Sequence, residues 1–450
     1  MSGGEQKSLP SRGVELLVLA VLVGLMVLAI RATPHGHGTS ALAALGFLLL
    51  AGTVVASVLE IVGIPHLTAY LLAGMAAGPY ALGLVDHQAV TDLSPVNALA
   101  LSLIALAGGA ELRLSLLRDA LRSLAWATLT QNLLVLLGMA AVFVALRPFL
   151  PFAASLSTSA LVGVALVWGT MAITRSPAAT LGVLSQTRAK GPLADFTLAF
   201  VMTSDVVVVI LLAIVFTIAD PLIEPGTPFS FGAFRRLGHE VLGSVAVGST
   251  LGLMLAAYIR FVGRQLVLVL VVLGLVMTQV IDYLRFDWLL IFITAGFVVQ
   301  NLSSQGEKFI QSIDRLGEVV YVVFFAIAGA HLDLPLLGKL WPVALALGVG
   351  RALVTVGAGK VASHLARDPP ALRTWAWSGL VSQAGLALGI AAKIQNQFPT
   401  FGDAFAAMAV ATVALNELVG PVLFKTALDR TGESTRHEAT EPAPAATSST

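Results

Sequence analysis

Runs of about twenty apolar residues recur along almost the whole of this chain, with short polar turns between them. That pattern leaves few folds open. Of 450 residues, 57% are hydrophobic and 11% are charged, less than half the roughly 25% charge of a soluble domain. Such a chain cannot wet a soluble surface, so a soluble enzyme, a nucleic-acid binder and a disordered chain are excluded. The expected class is an all-α polytopic membrane protein embedded in the lipid bilayer. There are no cysteines, which removes disulfides, thiolate metal sites and cysteine nucleophiles. No nucleophile–base pair or metal-ligand cluster stands out, so neither enzyme activity nor a cofactor is expected.

The apolar runs predict fourteen spans, near 14–31, 41–59, 65–85, 96–112, 123–146, 157–186, 192–219, 237–259, 265–281, 288–302, 314–332, 337–365, 372–396 and 404–427. The first is read as a retained helix because no small-x-small cleavage site follows Ile30. If the spans alternate from a cytoplasmic N-terminus, sixteen Lys and Arg residues fall inside, among them Arg113, Arg118, Arg188, Lys190, Arg260 and Lys425. Six fall outside: Arg31, Arg147, Arg235, Arg236, Arg285 and Lys339. The bias predicts a multi-pass protein of the inner (cell) membrane with both termini cytoplasmic. Pro221, Pro225, Gly226 and Pro228 mark a mid-chain break, and residues 429–450, rich in Ser, Thr, Ala, Pro and Glu, read as a disordered tail. No length is left for a cytoplasmic regulatory domain.

The two halves resemble each other. Gly109 to Leu117 aligns with Gly329 to Leu337 at an offset of 220, with six of nine positions identical. Leu72-Ala73-Gly74 lines up with Thr294-Ala295-Gly296, Gln131 with Arg351, and Ser204-Asp205 with Asn416-Glu417. The copies lie seven spans apart, an odd number, so the second is inverted in the membrane. Inverted repeats are a device of secondary transporters, whose sites lie near the midplane between the copies.

An ionisable group deep in a span costs about 2.5–3.5 kcal/mol on insertion scales and is a functional candidate by default. Asp205, within Thr203-Ser204-Asp205-Val206, lies deeper in a long span than any other carboxylate. Burial favours its neutral form, so it can carry a proton, and its ionised form can take a monovalent metal cation. Those two states describe an antiporter. Glu417 holds the pseudo-equivalent place and either titrates or braces the helices; Asn416 and Ser204 offer neutral oxygens beside the two acids. Arg351 keeps its proton, so it acts as an immobile counter-charge to Asp205 or Glu417. Thr174-Arg175-Ser176-Pro177 interrupts the span 157–186, because proline removes a backbone donor and breaks the helix. Its repeat partner lies between Ser378 and Gly385 and includes Ser382 and Gln383. Two crossing broken helices would aim opposite dipole ends at the midplane. Arg175 faces that site or pairs with an acid on the inner side. Lys360 and Lys393 lie within snorkelling reach of span ends. His35 and His37 lie in a predicted external loop without further metal ligands.

Five features stand in order along the chain: Gly63-Ile64-Pro65-His66-Leu67 through Leu72-Ala73-Gly74, then Gly78-Pro79; the mid-helix Asp205; Phe324 through Gly329; Ser382-Gln383-Ala384-Gly385; and Asn416 through Pro421. Together they resemble the Kef-type cation:proton antiporters of the sodium/proton exchanger superfamily. The resemblance spans about residues 41–428. It implies the sodium/proton-antiporter fold of thirteen helices, here with one added N-terminal helix, assembled as a homodimer. By position, residues 1–40 hold the added helix and its loop. Residues 41–122 and 220–336 would form a dimerisation domain, and 123–219 and 337–428 a core that moves like an elevator. The resemblance assigns the proton and cation site to Asp205. The chain departs from the family pattern at Ser204-Asp205, where relatives carry two acids or Asn-Asp. It departs again at Gly385-Leu386-Ala387, where many have Gly-Glu-Phe, and at Thr174-Arg175, where many place uncharged or acidic residues. Cation identity and stoichiometry therefore do not carry over.

The expected function is exchange of Na⁺ or K⁺ for H⁺, with Asp205, Ser204 and Thr174 at the ion. One central acid beside a non-titrating Arg351 predicts electroneutral one-for-one exchange. The alternatives are an organic-anion transporter using Arg175 and Arg351, and an ion channel, which would need a continuous polar pore.

Overall fold

The computed structural model describes residues 40–224, 232–284, 286–383, 385–398 and 400–434, with a few positions between 21 and 27. The expected first span, the two loop histidines His35 and His37, and residues 435–450 lie outside or largely outside the described residues. The rest is helix and connecting loop, with no strand among the described residues.

The helices used below are α1 (Ala41–Leu59), α2 (His66–Ala77), α3 (Ser94–Glu111), α4 (Leu121–Ala145), α5 (Thr158–Ala172), α6 (Pro177–Thr187), α7 (Pro192–Ile223), α8 (Gly232–Phe261), α9 (Leu266–Leu284), α10 (Trp288–Leu302), α11 (Gly306–Ala330), α12 (Leu334–Ala366), α13 (Pro370–Trp375), α14 (Gly385–Gln397) and α15 (Gly402–Thr431). Among the described residues, eight segments are long and apolar enough to cross a membrane, counting α5–α6 as one, and four shorter apolar helices accompany them.

Helix ends follow local chemistry. Ser40, Ser157, Ser176, Asp287 and Asp333 each accept a main-chain N–H at the start of a helix. The span expected over 65–85 stops at Ala77, because Gly78 precedes Pro79 and the residue before a proline is pushed into extended backbone (φ −65°, ψ 173°). α11 starts at Gly306, earlier than the expected 314, because its first turns carry Glu307 and Lys308 and lie outside the apolar run. α15 runs to Thr431, and Gly432 ends it in the left-handed region (φ 73°). Residues 429–434, assigned above to the tail, therefore belong to a capped helix end.

Glycine contacts make the internal symmetry visible. A Cβ on Gly74 of α2 would run into the main chain of Ala326 in α11, and one on Gly329 of α11 into that of Leu71 in α2. Gly109 of α3 meets the main chain of Ile293 in α10 in the same way, and Gly296 of α10 that of Leu106 in α3. The repeat offset carries α2 onto α10 and α3 onto α11. One close helix pair thus maps onto the other, as a two-fold between the halves requires.

The buried apolar side chains form two clusters. One joins α1–α3, α6 and α8–α11 with the first part of α7, Leu193 to Met202, and takes in residues of α4, α12, α13 and the end of α15. The other joins α4, α5, α12, α14 and the first half of α15 with the later part of α7, Val208 to Ala219, around Trp168, Phe143 and Phe405. Asp205 sits on α7 between the two clusters.

Candidate functional site

The site is built where two helices are interrupted. α5 ends at Ala172 and α6 begins at Pro177, leaving 173–176 as non-helical chain across the break. In the second half, α13 is followed by a short 3-10 turn over Ser378–Leu380, and regular helix resumes at Gly385. Each break frees main-chain carbonyls that a continuous helix would satisfy.

Arg351, on α12 and 2% exposed, takes up carbonyls from both breaks. Its Nε donates to Ala172 O (2.7 Å) and its Nη2 to Thr174 O (2.9 Å). Nη1 donates to Val381 O (2.5 Å), and Nη2 also to Leu380 O (3.1 Å). The carboxylate partner expected for Arg351 is replaced by these four carbonyls, and no ion pair joins it to Asp205 or Glu417 among the described residues. A second chain of bonds links the breaks. Asn416 Nδ2 donates to Gln383 Oε1 (2.7 Å), and Gln383 Nε2 donates to Met171 O and Thr174 Oγ1 (3.0 Å each). Thr174 Oγ1 itself donates to Met171 O (2.8 Å). Thr174, Gln383 and Asn416 are thus tied into the crossing.

Glu417 also faces the break. Its Oε1 accepts from Ser176 Oγ (3.2 Å), and that same oxygen caps α6 by accepting from Ala179 N (3.2 Å). Ser378 Oγ donates to Trp375 O (2.7 Å) and Ser204 Oγ to Val201 O (3.0 Å), each within its own segment. Ser382 is buried where Gly420 of α15 leaves room for it.

Asp205 differs from all of these. It is 9% exposed, and neither carboxylate oxygen has a hydrogen-bond partner. It lines a cavity of about 240 Å³ with Arg175 and Ser176. Arg175 donates to Ile173 O (2.8 Å) and lies 4.5 Å from the Phe200 ring centroid, while its Nε is unpartnered. No ion pair within 4.0 Å joins Arg175 to Asp205 among the described residues.

Two further acids line this cavity, Glu240 of α8 and Asp287 at the start of α10. Asp287 Oδ1 accepts from Leu290 N (2.7 Å). Burial holds its carboxyl above the ordinary range, against the amides of Leu290 and Leu289 that favour its charged form. The sequence reading missed both acids. The available signal was topological: the start of α8 and the α9–α10 turn lie at one end of the bundle.

Of the two span-end lysines, Lys360 is exposed and Lys393 lies 3.8 Å from the Phe216 ring centroid. No group of three or more His, Asp or Glu side chains placed to hold a metal ion occurs among the described residues.

A helical bundle with an internal two-fold, two interrupted helices braced against each other and an unpartnered carboxylate beside them has the build of a secondary transporter. The family model described as "sodium/hydrogen exchanger, transmembrane" matches residues 45–429, and the chain belongs to that family. Two structures of the sodium proton antiporter MjNhaP1 from Methanocaldococcus jannaschii share the fold. Their TM-scores are 0.64 and 0.69 at 17% and 18% identity, covering 87% and 88% of this chain and 96% and 99% of the antiporter. No curated protein matches the sequence.

Proposed function

We propose that this protein exchanges a monovalent cation, Na⁺ or K⁺, for H⁺, with Asp205 binding proton and cation in turn. The observation that carries this reading is the state of Asp205: buried, without a protein partner at either oxygen, and facing a cavity. A carboxylate in that setting is stable when protonated or when a cation sits on it, and costly when bare. Arg351 and Glu417 are engaged in bracing the breaks. One titrating acid therefore supports electroneutral one-for-one exchange. The resemblance to Kef-type antiporters supports an elevator-like slide, with 123–219 and 337–428 as the moving part that carries Asp205 on α7. The motifs around Gly63–Pro79 and Asn416–Pro421 favour a Kef-type place within the family, and a homodimer goes with it. The basic-residue bias favours cytoplasmic termini in the cell membrane, which puts the start of α8 outside.

The test is purified protein in proteoliposomes with an imposed pH gradient. Na⁺, K⁺ or Li⁺ should collapse the gradient, at a rate independent of membrane potential, and Asp205→Asn should abolish the collapse. Folded wild-type protein that moves no protons with any of the three cations overturns the reading. The unpartnered Nε of Arg175 in the cavity favours the second reading, an organic-anion transporter. It requires Arg175→Gln to abolish uptake of a labelled carboxylate.

A further inference from the structure

The cavity poses an electrostatic problem. Asp205 and Arg175 both line it, and taken together they are neutral when Asp205 is ionised. A neutral site draws no cation from water, and the guanidinium repels one. Glu240 and Asp287 line the same cavity and reverse that balance. Asp287 stands within electrostatic reach of both Asp205 and Glu240. Besides Arg175, Lys393 of α14 is an opposing charge within electrostatic reach of Glu240.

The two acids are held in one joint. Ser244 Oγ donates to Glu240 O (2.6 Å) and accepts from Asp287 N (2.9 Å), so a single hydroxyl ties α8 to the start of α10. Asp287 is fixed further as the cap of α10. Glu240 lies on α8 and Asp287 caps α10, whereas Arg175 sits at the break between α5 and α6. Asp205, more than nine-tenths buried and unpartnered, is aimed into the same space.

We propose that Glu240 and Asp287 form a cation-gathering pair at the α8 N-terminal face, offsetting Arg175 and raising the cation's affinity for the site from that face only. The proposal rests on Asp205 being the exchange site. A monovalent cation entering there loses water in two stages, first between the paired carboxylates and then at Asp205. The opposite face has no counterpart of this pair among the cavity's lining residues. Entry from that face therefore runs at lower affinity, which favours release there.

The experiment measures the apparent KM for the transported cation separately from each face, in vesicles of both orientations. The double variant Glu240→Gln, Asp287→Asn removes both charges, and asparagine keeps the α10 cap. Its KM from the α8 N-terminal face should rise roughly 3- to 10-fold per charge removed. KM from the other face should not move, and the maximal rate should fall less than about two-fold. In the wild type, raising ionic strength with an inert salt should raise KM at the α8 N-terminal face, and the variant should lose that dependence. If the double variant does not fold, Glu240→Gln alone is read in the same way. An unchanged KM, or a rise equal at both faces, overturns the proposal. Asp205→Asn separates the two readings: exchange that survives it sinks the Asp205 site. Asp205-dependent exchange with an unmoved KM in the double variant sinks only the gathering pair.

Discussion

Replacing Arg351 by methionine removes the donors of four hydrogen bonds and leaves four buried carbonyls at the two breaks without them. At a net of about 1–2 kcal/mol for each bond, the loss is about 4–8 kcal/mol. Relief from burying a guanidinium pulls the sum toward the lower end. Lysine brings one compact ammonium that reaches at most two of the four acceptors, so Arg351→Lys should lose about half as much. The assay is thermal unfolding in detergent, followed by monodispersity on heating. The expected order is wild type, then lysine, then methionine. Methionine as stable as arginine would refute the bracing role. A second comparison tests whether Arg351 works instead through Glu417. If the two formed a functional ion pair, Glu417→Gln would rescue Arg351→Met by removing the orphaned charge. The bonds to carbonyls predict no rescue, because the acceptors stay unpaired whatever occupies position 417.

Gly329→Ala should cost about 1–3 kcal/mol, because its Cβ meets the main chain of Leu71 and Met75, which can move only as a helix. Gly357→Ala on α12, where nothing lies within 4 Å, should be neutral or gain up to about 1 kcal/mol; equal thermal shifts in the two variants would refute the close approach of α2 and α11. Glu433 holds the start of α7, its Oε1 accepting from Leu193 N (2.9 Å) and its Oε2 from Ala194 N (2.8 Å). Glu433→Ala should cost about 1–2 kcal/mol and speed hydrogen exchange in the first turn of α7, and unchanged protection there would contradict that cap.

The features that the sequence exposes are those carried by local chemistry. Pro177 marks the first break because a proline cannot continue α5. The second break contains no proline, yet the repeat placed it between Ser378 and Gly385 and regular helix resumes at Gly385. Asp205 stood out because a carboxylate so far from either end of an apolar run has few structural excuses. The apolar run over 65–85 is longer than α2 because Gly78-Pro79 stops the helix inside it. The partner of Arg351 was misjudged for a deeper reason. Counting charges finds carboxylates, but a broken helix creates acceptors that belong to no side chain and leave no mark in composition. Glu240 and Asp287 lie near the ends of apolar runs, where acids are ordinary. Only the packing of α8 against α7, with α10 held against α8 and α3, turns those acids toward Asp205.

The polar groups at the crossing divide according to the ends of the half-helices they meet. The last carbonyls of α5 and of the 3-10 turn before the second break carry the negative end of their dipoles, and a cation, Arg351, fills that place. The first turn of α6 carries a positive end, and an anion, Glu417, reaches it through Ser176. Each charge is thus matched by a backbone end as well as by hydrogen bonding, with Glu417 Oε2 left without a partner. Arg175 is held by a carbonyl and an aromatic face. Asp205, in the middle of an unbroken α7, accepts no hydrogen bond. Under the exchange proposed above, a proton or a cation entering the cavity satisfies its charge beside Arg175, and that shared place couples the two.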